Sequence, residues 1–203
     1  MTSAPEQRWR QIFRKGDDPL MVIARILVLL LRIATIVGIL AAAIHVVTDG
    51  LVFYYALHGQ EVPETGPFWR REGIWWPKGP VPVGPAAARA AIPALTIALL
   101  ALLNAFLGRL SAIIGTVSAG DPFSPDNARR LQRMGLFALA VQILASLIRW
   151  LVDQAGPDFV QNVYLSSNLD LSPAGIMLVL TLLILARVFS RGAELRADLE
   201  GTV

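Results

Sequence analysis

The chain has 203 residues, 55% of them hydrophobic and 16% charged, with 18 Lys and Arg against 15 Asp and Glu for a formal net charge of +3. Long apolar runs almost free of charge exclude an ordinary soluble domain and point to an integral membrane protein. The absence of cysteine excludes disulfides, thiol catalysis and thiolate metal sites, and basic residues gathered at the ends of apolar runs argue against direct nucleic-acid binding.

The N-terminal stretch contains Arg8, Trp9, Arg10, Phe13, Arg14 and Lys15. It reads as a basic, aromatic anchor at the lipid head groups. The apolar run that follows is too long for the core of a cleaved signal peptide, so it is read as a retained span. The domain reading is a basic segment over 1–19 and a single all-α, four-helix membrane bundle over 20–203.

The first helix is expected over about 20–57, opening at Asp18-Pro19 with Pro at the first helical position. It exceeds the roughly 20 residues that a bilayer requires, so its register is open. If Arg25 marks the edge, Arg32 lies inside; if Arg32 marks it, His45 and Asp49 do. The favoured register is intermediate, with Arg32 snorkelling and Phe53-Tyr54-Tyr55 in an aromatic belt. His45 and Asp49, four residues apart, are expected to hydrogen-bond at the outer interface. Residues 58–85 carry six prolines with Phe68, Trp69, Trp75 and Trp76. They cannot form a regular helix; short turns or a small hairpin at the membrane surface are expected.

The second helix is expected over 86–117, with Arg89 at its outer end and Arg109 at its inner end. Asn104 is expected to hydrogen-bond within the bundle. Gly108, Ser111, Gly115 and Ser118 form a small-residue face suited to close helix packing. Residues 118–124 connect to a third helix over 125–153. Ser124 suits its N-cap, Pro125 its first position and Asp126 its positive end. Arg129, Arg130 and Arg133 then stand where a helix leaves water and enters head groups. Gln142 lies at mid-depth, and Arg149 is expected to pair with Asp153. Ser172-Pro173 opens a fourth helix over 173–193, followed by a modestly amphipathic helical tail over 194–203.

Lys and Arg near the span ends are distributed unevenly. Arg8, Arg10, Arg14, Lys15, Arg25, Arg109, Arg129, Arg130, Arg133, Arg187, Arg191 and Arg196 fall on one side, and Arg70, Arg71, Lys78 and Arg89 on the other. The positive-inside rule therefore predicts both termini and the Gly120–Arg133 loop in the cytoplasm. Chemical motifs are missing. His45 and His58 lack HExxH-type company, and there is no Gly-x-Ser-x-Gly elbow, P-loop or dinucleotide fingerprint. No catalytic residue, cofactor or metal site is expected.

Two stretches stand out. Gly120-Asp121-Pro122-Phe123-Ser124-Pro125-Asp126-Asn127, followed by Arg130, Leu131 and Gly135, precedes the third span. Val188-Phe189-Ser190-Arg191-Gly192-Ala193-Glu194-Leu195 closes the fourth, and the chain ends in Thr202-Val203. Together they resemble the YoaS-like family of uncharacterised bacterial membrane proteins. Gly201 before Thr202 departs from the family tail, and residues 58–88 match nothing in it. The resemblance implies four transmembrane helices in a bacterial cytoplasmic (inner) membrane, with small helix-turn-helix regulators as partners.

The leading expectation is a non-enzymatic accessory or regulatory protein. It would dock a membrane complex or small cytoplasmic regulator through Gly120, Asp121, Pro122, Phe123, Asn127, Arg129, Arg130, Arg133, Phe189, Gly192 and Leu195. Phe123 and Phe189 would act as apolar plugs, and Asn127 would bond loop backbone. The alternative is a small homo-oligomeric transporter, channel or lipid-handling protein, with Arg32, His45, Asn104, Gln142 and Arg149 lining a polar path.

Overall fold

The computed structural model describes residues 19–61, 65–66, 69–70, 81–155 and 173–200. The basic N-terminal anchor, the expected surface role of Trp75 and Trp76, the connection 156–172 and the Thr202-Val203 end lie outside them. Four long helices dominate: α1 Pro19–Leu57, α2 Val83–Ser118, α3 Pro125–Gln154 and α4 Pro173–Glu200. Between α1 and α2, β1 Thr65–Gly66 pairs antiparallel with β2 Trp69–Arg70. All four helices are long and apolar enough to cross a membrane, and the chain is a multi-pass membrane protein.

Punctuation residues set the helix ends. Pro19, Pro125 and Pro173 each occupy a first helical position, where the missing N–H would have had no intrahelical partner. At the C-terminus of α2, Gly120 adopts φ 84°. Its N–H reaches the Val117 carbonyl and that of Asp121 the Thr116 carbonyl, each at 3.0 Å. This crossed pair is a Schellman cap, which needs a residue tolerant of positive φ. α4 continues through Glu200, beyond the Ala193 end expected from hydropathy, because Ala193–Leu199 has no helix breaker.

Hydroxyls within the helices are satisfied locally. Thr35 donates to the Arg32 carbonyl, Thr96 to Ile92, Ser118 to Ile114, Ser146 to Gln142 and Thr181 to Met177, at 2.7–3.0 Å. Back-bonding of this kind lets polar side chains sit in an apolar helix without an orphan proton.

The helices contribute to two compact units. One comprises Met1–Thr35, Leu103–Ala138 and Met177–Val203; the other comprises Ile36–Leu102 and Leu139–Ile176. The first, the loop-and-tail unit, has a core of Leu131, Met134, Ala138, Val179, Leu182 and Ala186. A Cβ on Gly135 would stand 3.0 Å from Leu183 Cδ2, so glycine permits the close approach of α3 and α4 here. The second unit has two clusters, Val52, Ala56 and Ala86, and Ala88, Ile92, Ile148, Val152 and Ala155.

Three expectations are corrected. Asp49 does not bond His45: it is buried against Arg89, while His45 is exposed. Asp153 is exposed, and no ion pair joins it to Arg149 among the described residues. The small-residue face of α2 is not a continuous packing seam. A Cβ at Gly108 would meet Arg32 Cζ at 4.0 Å, but nothing lies within 4 Å of one at Gly115.

Candidate functional site

The two distinctive stretches of sequence meet in the loop-and-tail unit, and Asn127 is the centre of the junction. It is completely buried. Its Nδ2 donates to Thr116 Oγ1 at 2.7 Å and to the Pro122 carbonyl at 3.0 Å. The Thr116 hydroxyl donates onward to the Ile113 carbonyl at 2.8 Å. Arg130 Nη1 donates to Asn127 Oδ1 at 2.8 Å. One amide thus ties the end of α2, the connecting loop and the first turns of α3. Both its protons and its oxygen are used, as burial requires. Met134, one turn beyond Arg130, is only 2% exposed and carries the apolar core up to this network.

A second contact joins the loop to α4. The Phe123 ring lies 5.4 Å from that of Phe189, at 44° between planes. A Cβ at Gly192 would stand 2.7 Å from Phe123 Cδ1. Gly192 therefore leaves the space that the Phe123 ring occupies, one turn along α4 from Phe189. At the rim, Arg196 Nη1 donates to Asp121 Oδ1 at 2.6 Å. Both side chains are about half exposed, so this pair orients the tail more than it stabilises it.

The resulting surface carries charge and apolar area side by side. Arg129 and Arg133 are exposed on α3. Arg129 is 3.6 Å from Asp126 and Arg191 3.4 Å from Glu194, both solvent-exposed pairs. Phe123 is 42%, Leu195 65% and Leu199 70% exposed. Val188, Leu195 and Leu199 fall on one face of α4. No spacing in the sequence joins Asp121 to Arg196. Only the seven- and eleven-residue spacings from Val188 hinted that the tail face is continuous with the span.

The intramembrane polar candidates do not form one set. Arg32 Nε donates to Asn104 Oδ1 at 3.1 Å within the loop-and-tail unit. Nearby, Arg109 bonds the Ala105 carbonyl at 3.1 Å and lies 4.4 Å over the Phe137 ring, a cation–π contact between α2 and α3. His45, Gln142 and Arg149 belong to the other unit. There Gln142 abuts Gly175, and its amide O and N are buried without a hydrogen-bond partner among the described residues. The same unit holds the Arg89–Asp49 pair, 3.4 Å apart, with side chains only 4% and 12% exposed. No group of three or more His, Cys, Asp and Glu suited to a metal occurs among the described residues.

No curated protein and no solved structure matches the chain. Residues 76–203 match the family described as "Protein of unknown function (DUF2975)". That match covers more than half of the 203 residues and takes in α2, α3, α4 and the whole Asn127 junction: the chain belongs to the DUF2975 family of proteins of unknown function.

Proposed function

We propose that this is a non-enzymatic accessory or regulatory membrane protein that docks a protein partner on the loop-and-tail surface. The observation that carries the reading is the Asn127 junction. A wholly buried amide, a glycine-seated phenylalanine and a rim ion pair hold two connecting segments in one shape. Preorganisation of this kind lowers the entropic cost of binding. The surface so held presents arginines beside Leu195 and Leu199, a composition suited to a partner with an acidic rim and an apolar centre. The arginine distribution supports a cytoplasmic placement of this surface. The YoaS-like resemblance adds a bacterial inner membrane and a small cytoplasmic regulator as the partner.

The test is purification of the tagged full chain from its native membrane in mild detergent, with mass spectrometry of what co-elutes. A stoichiometric partner lost from Leu195→Glu/Leu199→Glu and from Arg129→Glu/Arg133→Glu, but kept by Arg149→Gln, is the expected result. A partner retained by both surface variants would sink the docking reading. A second reading, a small oligomeric transporter or channel, draws on Gln142, whose buried amide lacks a hydrogen-bond partner among the described residues. It is favoured if reconstituted vesicles show a solute flux that Gln142→Leu abolishes.

A further inference from the structure

A groove of about 560 Å³ opens between the first turns of α3 and the second half of α4, wholly within the loop-and-tail unit. That volume falls in the range of small-ligand sites, roughly 300–1,000 Å³. Its lining changes character along its length. Leu183 stands at one end, Arg187, Arg129, Gln132 and Ser190 follow, and Glu194 lies near the other end, with alanines between. From Leu183 to Glu194 the distance along α4 is about 16 Å at 1.5 Å per residue. The apolar end belongs to the uncharged stretch of the α4 span, and the polar end to its charged continuation.

Arg129 and Arg187 against Glu194 leave the lining of the groove with a net positive charge. Glu194 is engaged by Arg191 at 3.4 Å. Among the described residues Arg129 pairs with the solvent-exposed Asp126, at 3.6 Å. Arg187 makes no ion pair with any described residue. The amides of the first turn of α3 add to the positive field, since Pro125 also lines the groove.

We infer that this groove holds one anionic diacyl phospholipid. Its phosphate lies between Arg129 and Arg187, Gln132 and Ser190 bond the head group, and an acyl chain leaves past Leu183 along α4. A soluble anion matches the arginines but not the apolar end. A phospholipid matches both, and basic pockets at the ends of membrane helices take anionic head groups by this chemistry. The groove shares Arg129 with the surface assigned to a partner, while Arg187, Gln132 and Ser190 lie outside that surface.

The experiment titrates the purified full chain in mild detergent with phosphatidylglycerol or phosphatidylcholine of identical chains, reading bound lipid by native mass spectrometry. Phosphatidylglycerol is expected to bind preferentially. Arg129→Gln/Arg187→Gln should weaken it about tenfold or more and leave phosphatidylcholine unchanged. Arg149→Gln, in the other unit, should have little effect. Arg129→Lys/Arg187→Lys keeps the charge and should keep most of the preference, which guards against a folding defect in the glutamine variant. Equal binding of the two lipids by the native chain would overturn the proposal. So would an unaffected glutamine variant, or glycerol phosphate competing as well as the whole lipid.

Discussion

Two of the ion pairs between carboxylate and arginine, one in each unit, differ in everything except their chemistry. In one unit Asp49 and Arg89 stand 3.4 Å apart with both side chains buried. In the other, Asp121 and Arg196 are closer, at 2.6 Å, but half exposed. The longer pair matters more. Water competes for each group of the exposed pair, so its net value is within about 1 kcal/mol whatever its length. Inside the other unit both groups are largely closed to water, and losing Arg89 leaves Asp49 buried without its cation. The loop-and-tail unit instead places its buried polar weight on the neutral Asn127 amide, every polar atom of which is bonded. A neutral, fully satisfied amide costs less to bury than an ion pair, which suits a surface that must keep one shape beside solvent.

Substitutions test that contrast. Arg89→Leu should produce the largest loss, about 3–5 kcal/mol, because Asp49 remains buried without its cation. Unfolding in mixed detergent and denaturant would read it. Adding Asp49→Leu should restore most of the loss, and a double variant as unstable as the single one would show that the pair is not the cause. Asn127→Ala comes next, at about 2–3 kcal/mol, since the Pro122 carbonyl and Arg130 lose their partner in a site closed to water. Amide hydrogen exchange over 119–130 should accelerate in this variant while that of α1 stays unchanged. Gly192→Ala should cost about 1–2 kcal/mol by pushing the Phe123 ring away from Phe189. Its signature is greater exposure of Phe123 to surface labelling; Gly192→Ala with Phe123→Leu should recover part of the loss. Arg196→Gln should cost least, about 0.5 kcal/mol or less, and the difference should vanish in high salt. A salt-independent effect as large as that of Asn127→Ala would place the rim pair, not the amide, at the centre of the junction.

Sequence reading succeeded where the information is local. Pro125 after Ser124 and Pro173 after Ser172 each signal a helix start through the backbone of that one proline. Uninterrupted apolar runs mark the four helices in the same way, because a chain that crosses lipid must satisfy its backbone within the segment. The site was legible in part. Phe123, Asn127, Phe189 and Gly192 stood out as unusual residues flanking spans, yet no spacing linked Phe123 to Gly192 or Asp121 to Arg196. Local reasoning also misled: Asp49 has His45 one turn away, so proximity along α1 suggested the wrong partner, and Asp153 suggested itself for Arg149 on the same ground.

The amino-acid sequence alone therefore determined that this is an all-helical, multi-pass membrane chain and where α1, α3 and α4 begin, through hydropathy and proline acting over a few residues. Which residues meet was decided only by tertiary structure: the Asp49–Arg89 pairing, the burial of Asn127 against Thr116 and Pro122, the seat of Phe123 on Gly192, and the groove between Arg129 and Arg187. Such contacts depend on the rotation and offset of one long helix against another. A shift of one residue turns a helix by about 100° and replaces every partner, while leaving the hydropathy of each helix unchanged.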